Sequence, residues 1–184
     1  MTAPVKQPLI CALVLDTNPR DFPAHKTVLG RALASYPLTA AKTSQYIART
    51  YLTTESSDIK AIALQHGTFI IDPPHSTDAH AAETLLKHSS HHILKELKAE
   101  AETLEFLVVL FAHAPAVTGE IIDAGVEALR KNPEADCALS VSQYNHLNPY
   151  AARRESKEGF LEPYVAYHRE AHAADVWHPN WGVC

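Results

Sequence analysis

The stretch Leu104 to Asn145, LEFLVVLFAHAPAVTGEIIDAGVEALRKNPEADCALSVSQYN, decides the fold. Phe106 to Phe111 is an unbroken apolar run, FLVVLF, the pattern of a strand covered on both faces of a parallel sheet. Ala112 to Val117 is a loop broken by Pro115. Thr118 is a good helix N-cap, and Glu120 places a carboxylate in the first turn, where the helix dipole favours it. Ile121, Ile122, Gly125, Val126 and Leu129 recur at helical spacing and make one apolar face. Asn132-Pro133 stops the helix, and Ala138 to Val141 is the next short strand. Strand, loop, helix and strand form a βαβ unit. Ligands of open parallel sheets bind beyond the carboxyl ends of the strands. The loop Ala112 to Val117 and the segment Ser142 to Asn148 are therefore where a site is expected.

Working outward, Leu9 to Leu15, LICALVL, is a second buried strand. Asp16 to Thr27, DTNPRDFPAHKT, is a polar loop with two prolines. A loop directly after the first strand is where α/β nucleotide-binding proteins cradle phosphates. Here it lacks the glycines that let backbone N–H groups approach, and Arg20, His25 and Lys26 are its cationic or potentially cationic groups. Leu29 to Ser44 reads as a helix kinked or broken at Pro37. Tyr46 to Thr53 reads as a strand. Glu55 to Gln65 reads as a helix closed by Gly67, with Glu55 as its cap. Thr68 to Ile71 is a short strand, and Ala79 to Ala101 is a long helix. Beyond Asn148 the pattern is an excursion with a turn at Lys157 to Gly159 and two short strands, and Val176 to Cys184 begins one more strand. Strands alternating with helices give a single α/β domain over residues 1–184, a three-layer α/β/α sandwich with a mostly parallel sheet and a peripheral excursion at about 148–170.

A chain of 184 residues with 46% hydrophobic and 20% charged residues can bury a substantial core. Its net charge of −5 and lack of a basic block point away from nucleic acid and toward a small ligand. No apolar run is long enough to cross a bilayer, and the start reads without a signal peptide. Cys11, Cys137 and Cys184 cannot all pair internally, which fits a reduced, cytoplasmic protein.

These segments together resemble the acylneuraminate cytidylyltransferases, the CMP-sialic acid synthetase group. YIARTYLTTESSDI at Tyr46 to Ile59 looks like the family's strand ending in Ser-Thr-Asp followed by Ser-x-x-Ile, and AIALQHG at Ala61 to Gly67 like the helix after it. LEFLVVLFAHAPAVTGEIIDAG resembles the family's strand, Gln-Pro-Thr-Ser-Pro loop and helix. ADCALSVSQYNHLNPY resembles its Asp-Ser-x-x-Ser-Val strand end, and GFLEPYV its Gly-x-Leu-x-Pro dimerisation hairpin. The resemblance implies a Rossmann-like nucleotidyltransferase fold, a homodimer, and attack by an acid sugar's hydroxyl on the α-phosphate of CTP with loss of pyrophosphate. It also implies magnesium, with ligands left unassigned because the family's metal-holding acids fall past Cys184. The first loop departs from the family's Ala-Arg-Gly-Gly-Ser-Lys pattern. The arginine falls on Thr17, the glycine pair on Asn18 and Pro19, and the lysine on Asp21, while Lys26 keeps the lysine of a following Lys-Asn pair.

Candidate residues follow, each beside a plainer reading. Lys26 and Arg20 are the candidate catalytic, phosphate-binding pair, or else solvated loop charges. Thr17 and His113 are candidates for contacts to the nucleotide, His113 toward base or ribose, or else a capping histidine at a strand end. Tyr144, Asn145 and Arg153 are candidates for the acid sugar, with Arg153 as carboxylate clamp, or else surface polarity. His88 and His92 share a helix face at a spacing that suits a transition metal, or simply make that face polar. Phe160, Leu161, Tyr164, Val165 and Tyr167 supply an apolar patch for the dimer.

Overall fold

Strand β1 (Leu9–Leu15) occupies the middle of the sheet. The computed structural model describes residues 7–17, 23–74, 81–143, 153–163 and 177–183, with 142–143 and 177–183 as backbone alone. The sheet order is β5 (Phe69–Ile71), β4 (Ile47–Thr53), β1, β6 (Leu104–Phe111), β10 (Trp177–Val183) and β7 (Ala138–Gln143). β1, β4, β5 and β6 run parallel, and β10 meets β6 antiparallel at Val183 and Val108. The two longest apolar runs of the sequence are thus the two neighbouring central strands.

Alternation along β1 builds both faces of the core at once. Ile10, Ala12 and Val14 point to one side, against Leu38 and Ala41 of α1 (Ser35–Thr43), Ile59 and Ala63 of α2 (Ser57–Gln65), and Ile122 and Val126 of α4 (Gly119–Lys131). Cys11, Leu13 and Leu15 point to the other, against Leu85, Ile93 and Leu97 of α3 (Ala82–Ala99). This is a three-layer α/β/α sandwich. Burial pushes the Cys11 thiol up to about 11, so it behaves as a small apolar side chain.

Two expectations are corrected. The helix read over Leu29 to Ser44 begins only at Ser35. Leu29 and Gly30 both have positive φ, 48° and 78°, the turn that joins two right-twisted strands. They close a hairpin of β2 (Thr27–Val28) and β3 (Arg31–Ala32), with Leu29 92% exposed. Pro37 falls in the first turn of α1, where its missing N–H is no loss. The cap of α2 is Ser56, whose side chain accepts from the Ile59 N–H, rather than Glu55. Thr118 caps α4 as expected, accepting from the Ile121 N–H. Gly119 then lets α4 come close to the end of α1, because a Cβ there would lie 2.7 Å from Thr43 Oγ1 and 3.0 Å from the Ser44 nitrogen. Ser44 Oγ donates to Asp123 Oδ1 at 2.5 Å and fastens the same junction.

The chain divides into two compact units, Met1–Leu139 with Trp181–Cys184, and Ser140–Asn180. The second holds a hairpin of β8 (Arg153–Glu155) and β9 (Leu161–Pro163), turned at Gly159 with φ 82°. Phe160 and Leu161 are 71% and 75% exposed.

Candidate functional site

The order of the strands marks the place where a site is expected. From β1 the chain moves outward through β4 to β5, with α1 and α2 on one face. It then returns across the opposite face by α3 and enters β6 on the other side of β1. The direction of winding reverses between β1 and β6, and at such a point the loops part and leave a crevice beyond the carboxyl ends. The strands finish level, with Phe111, Leu15, Thr53 and Ile71 in one row. Their backbone ladder runs one residue further: the Ala112 N–H donates to Leu15 O at 2.9 Å and the Asp16 N–H to Thr53 O at 3.1 Å.

Asp16 lies at the edge of this crevice and is only 6% exposed. Its Oδ2 accepts a 2.6 Å hydrogen bond from the Thr54 hydroxyl. His113 stands across from it, after β6, half-buried and edge-on to Phe111 with ring centroids 5.7 Å apart. Burial lowers the His113 pKa below its ordinary 6.5, and the nearby Asp16 charge opposes that shift without overcoming it. At neutral pH the ring is uncharged, with one nitrogen able to donate and the other to accept.

Of the residues expected from sequence, Thr17 and His113 flank this crevice, Thr17 as the residue after Asp16. Lys26 is exposed at the base of the β2–β3 hairpin, where its N–H donates to Pro23 O and its carbonyl accepts from the Leu33 N–H, both at 2.9 Å. Arg153 opens β8 in the second unit and is exposed. Arg20, Tyr144 and Asn145 lie outside the described residues. Asp16 and Thr54 were missed as a pair. Asp16 has the look of one more loop charge, and nothing in either segment announces that two strand ends will lie side by side.

Among the described residues no group of three or more His, Cys, Asp or Glu gathers to hold a metal. His88 Nε2 meets the Asp72 carbonyl at 3.0 Å, and His92 Nε2 lies 3.7 Å from Glu96. No helix among the described residues is long and apolar enough to cross a membrane.

No protein-family model matches the chain, and no curated protein matches it in sequence. Solved structures do. The chain is similar to a CMP:2-keto-3-deoxy-manno-octonic acid synthetase complexed with CTP, at TM-score 0.62 and 10% identity over 97% of this chain and 73% of that one. It is similar to a 4-diphosphocytidyl-2C-methyl-D-erythritol synthase from Anaerococcus prevotii, at TM-score 0.61 and 16% identity over 96% and 69%. A further 4-diphosphocytidyl-2C-methyl-D-erythritol synthase gives TM-score 0.61 and 12% identity over 97% and 74%. This chain therefore has the mostly parallel, Rossmann-like α/β fold of these nucleotidyltransferases.

Proposed function

We propose that this chain is a cytidylyltransferase-like protein that transfers CMP from CTP to a small, acidic, sugar-like acceptor. The observation that carries the reading is the winding reversal between β1 and β6, the place where such sheets bind ligands, in a fold shared with a synthetase complexed with CTP. In the reaction the acceptor's hydroxyl oxygen forms a bond to the α-phosphorus as the bond from that phosphorus to the bridging oxygen breaks. Pyrophosphate leaves with the electron pair, and the hydroxyl proton passes to water. Little covalent chemistry is asked of the protein, so positioning and charge neutralisation supply the catalysis.

In this reading Lys26 and Arg20 face the phosphates, and Thr17 and neutral His113 contact the nucleoside. Tyr144, Asn145 and Arg153 receive the acceptor, with Arg153 on its carboxylate. Magnesium suits the chemistry, because it takes oxygen donors and needs only one or two carboxylates when phosphates complete its shell. Its ligands stay unassigned, since among the described residues no group of three or more His, Cys, Asp or Glu gathers to hold a metal. When bound, magnesium would neutralise charge developing on the departing pyrophosphate. The homodimer, assigned to the exposed Phe160–Leu161 hairpin, and a cytoplasmic location belong to the same proposal.

A second reading is favoured by one observation. The loop after β1 has no glycine, has prolines at 19 and 23, and begins with the buried carboxylate of Asp16. Loss of one preorganised donor to a developing charge costs roughly 3–4 kcal/mol. On that ground transfer is weak, or the chain is an inactive relative that binds a ligand or partner through the same crevice. Pyrophosphate release with CTP, magnesium and a panel of acid sugars decides between them. Turnover of about 1–10 per second, abolished by Lys26→Ala, establishes the enzyme. A thermal shift that prefers CTP over ATP, GTP and UTP without turnover establishes the binding relative. Absence of both turnover and a CTP-preferring shift overturns both readings.

A further inference from the structure

The first loop is fastened to the sheet on both sides. On the β6 side, the Ala112 N–H donates to the Leu15 carbonyl. On the β4 side, Asp16 is held twice, by its N–H to the Thr53 carbonyl and by its carboxylate from the Thr54 hydroxyl. The second bond is short, 2.6 Å, and buried at both ends. It is also one link of a chain. Thr54 Oγ1 accepts from the Ser56 N–H at 3.0 Å, and Ser56 Oγ accepts from the Ile59 N–H at 3.4 Å in the first turn of α2. The Thr54 hydroxyl therefore works in both directions, donating to the start of the loop and accepting from the start of the helix. Thr54 is itself buried, so water does not compete for either bond.

We infer that Asp16 and Thr54 are a positioning pair, which fixes the direction in which the chain leaves β1 and so sets Thr17 for the ligand. The inference rests on the proposed nucleotide site, and it concerns geometry rather than contact. Thr54 reaches the ligand only through Asp16. Small displacements of groups that hold a substrate are costly, about a hundredfold in rate for 1 Å, so a strong fastening behind the loop has a function that a solvated aspartate would not.

The test uses the full chain with Thr54→Val, which keeps the volume and removes the hydroxyl, and Thr54→Ser, which restores it. Amide hydrogen exchange at Asp16 and Thr17, and the dissociation constants for CTP and CDP by calorimetry, are read beside the melting temperature. In Thr54→Val we expect exchange at Asp16 and Thr17 to speed up and CTP and CDP to bind about tenfold or more weakly, the fold-change that accompanies loss of a buried hydrogen bond. Thr54→Ser should bring both readouts back to within about twofold, since a serine hydroxyl offers the same donor and acceptor. Unchanged exchange at Asp16 and Thr17 in a folded Thr54→Val protein overturns the inference. So does weaker nucleotide binding that serine fails to rescue. If Thr54→Val does not fold, Asp16→Asn replaces it and should give an intermediate effect on the same amides, whereas no effect overturns the pair. If the unaltered chain binds neither nucleotide, the proposed function fails while the exchange readout still decides whether the pair positions the loop.

Discussion

Near the amino end of β4, Arg49 reaches Glu100 at 2.7 Å, Glu102 at 2.9 Å and Glu96 at 3.6 Å, and the Tyr51 hydroxyl donates to Glu96 at 2.9 Å. At the carboxyl end of the same strand, Thr54 makes its bond to Asp16 within a short line of hydroxyls and backbone. One end is bolted by a cation shared among three carboxylates. Its charges hold each other so firmly that the hydrogen bond to Glu100 raises the Arg49 pKa, and burial pushes Tyr51 up to about 12. The other end carries fewer charges: Asp16 accepts from the Thr54 hydroxyl, and His113 stands edge-on to Phe111. The difference teaches which end is structural. Charges spent on one another have nothing to offer a ligand, whereas a histidine kept neutral by burial and a carboxylate held from behind leave the crevice chemically open.

The contrast breaks most completely if the strands between the two ends fail. Leu13 is fully buried between β4, β6 and α3, so Leu13→Ala should cost about 2–5 kcal/mol, seen in chemical denaturation, and degrade both ends together. Arg49→Ala attacks one end alone. It leaves three carboxylates facing each other, and the loss should be about 1–3 kcal/mol with affinity at the proposed nucleotide site unchanged. A change in that affinity would mean the two ends are not independent. Ser89 sharpens the picture in the opposite direction. Its hydroxyl is fully buried in the inward stripe of α3 and has no hydrogen-bond partner among the described residues. Ser89→Ala should therefore raise stability by about 1 kcal/mol, measured as a higher denaturation midpoint.

The smallest effect is in pH. His113 holds its proton less tightly when folded than when unfolded, because of burial. The unfolded chain then binds more protons, so this group's contribution to stability is complete above pH 6.5 and is lost as pH falls through the lower folded value. His66 acts in the same sense, through burial and then the positive charges of Lys42 and Arg31. Asp16→Asn removes the charge that opposes the shift at His113 and should lower its pKa further, read from the imidazole resonances by NMR.

The layers of the fold were legible because two signals agreed. The runs LICALVL and FLVVLF gave the buried parallel strands, and Thr118 with the spacing to Leu129 gave α4. The β2–β3 hairpin was hidden because Leu29 takes a left-handed conformation that sequence patterns assign to glycine or asparagine. The candidate site was legible as a place, the carboxyl ends of the strands, and Thr17 and His113 follow β1 and β6 there. The Asp16–Thr54 bond depends on β1 and β4 finishing level, a matter of register between segments far apart in sequence. His88 shows the converse case. Its helical spacing to His92 suited a metal, and the fold gives its ring the Asp72 carbonyl instead.

The central place of β1 also has a consequence in time. Its two neighbours leave the ribosome at different moments, β4 complete by Thr53 and β6 only at Phe111. Between those moments one edge of Cys11 to Leu15 is apolar and unpaired. Such an edge is a template for joining other chains, and parallel pairings between distant segments are slow to form. The danger for this protein during synthesis is therefore concentrated in the interval before Phe111 emerges. Rapid expression should drive the nascent chain into aggregates, and slower synthesis at low temperature should recover it in folded form.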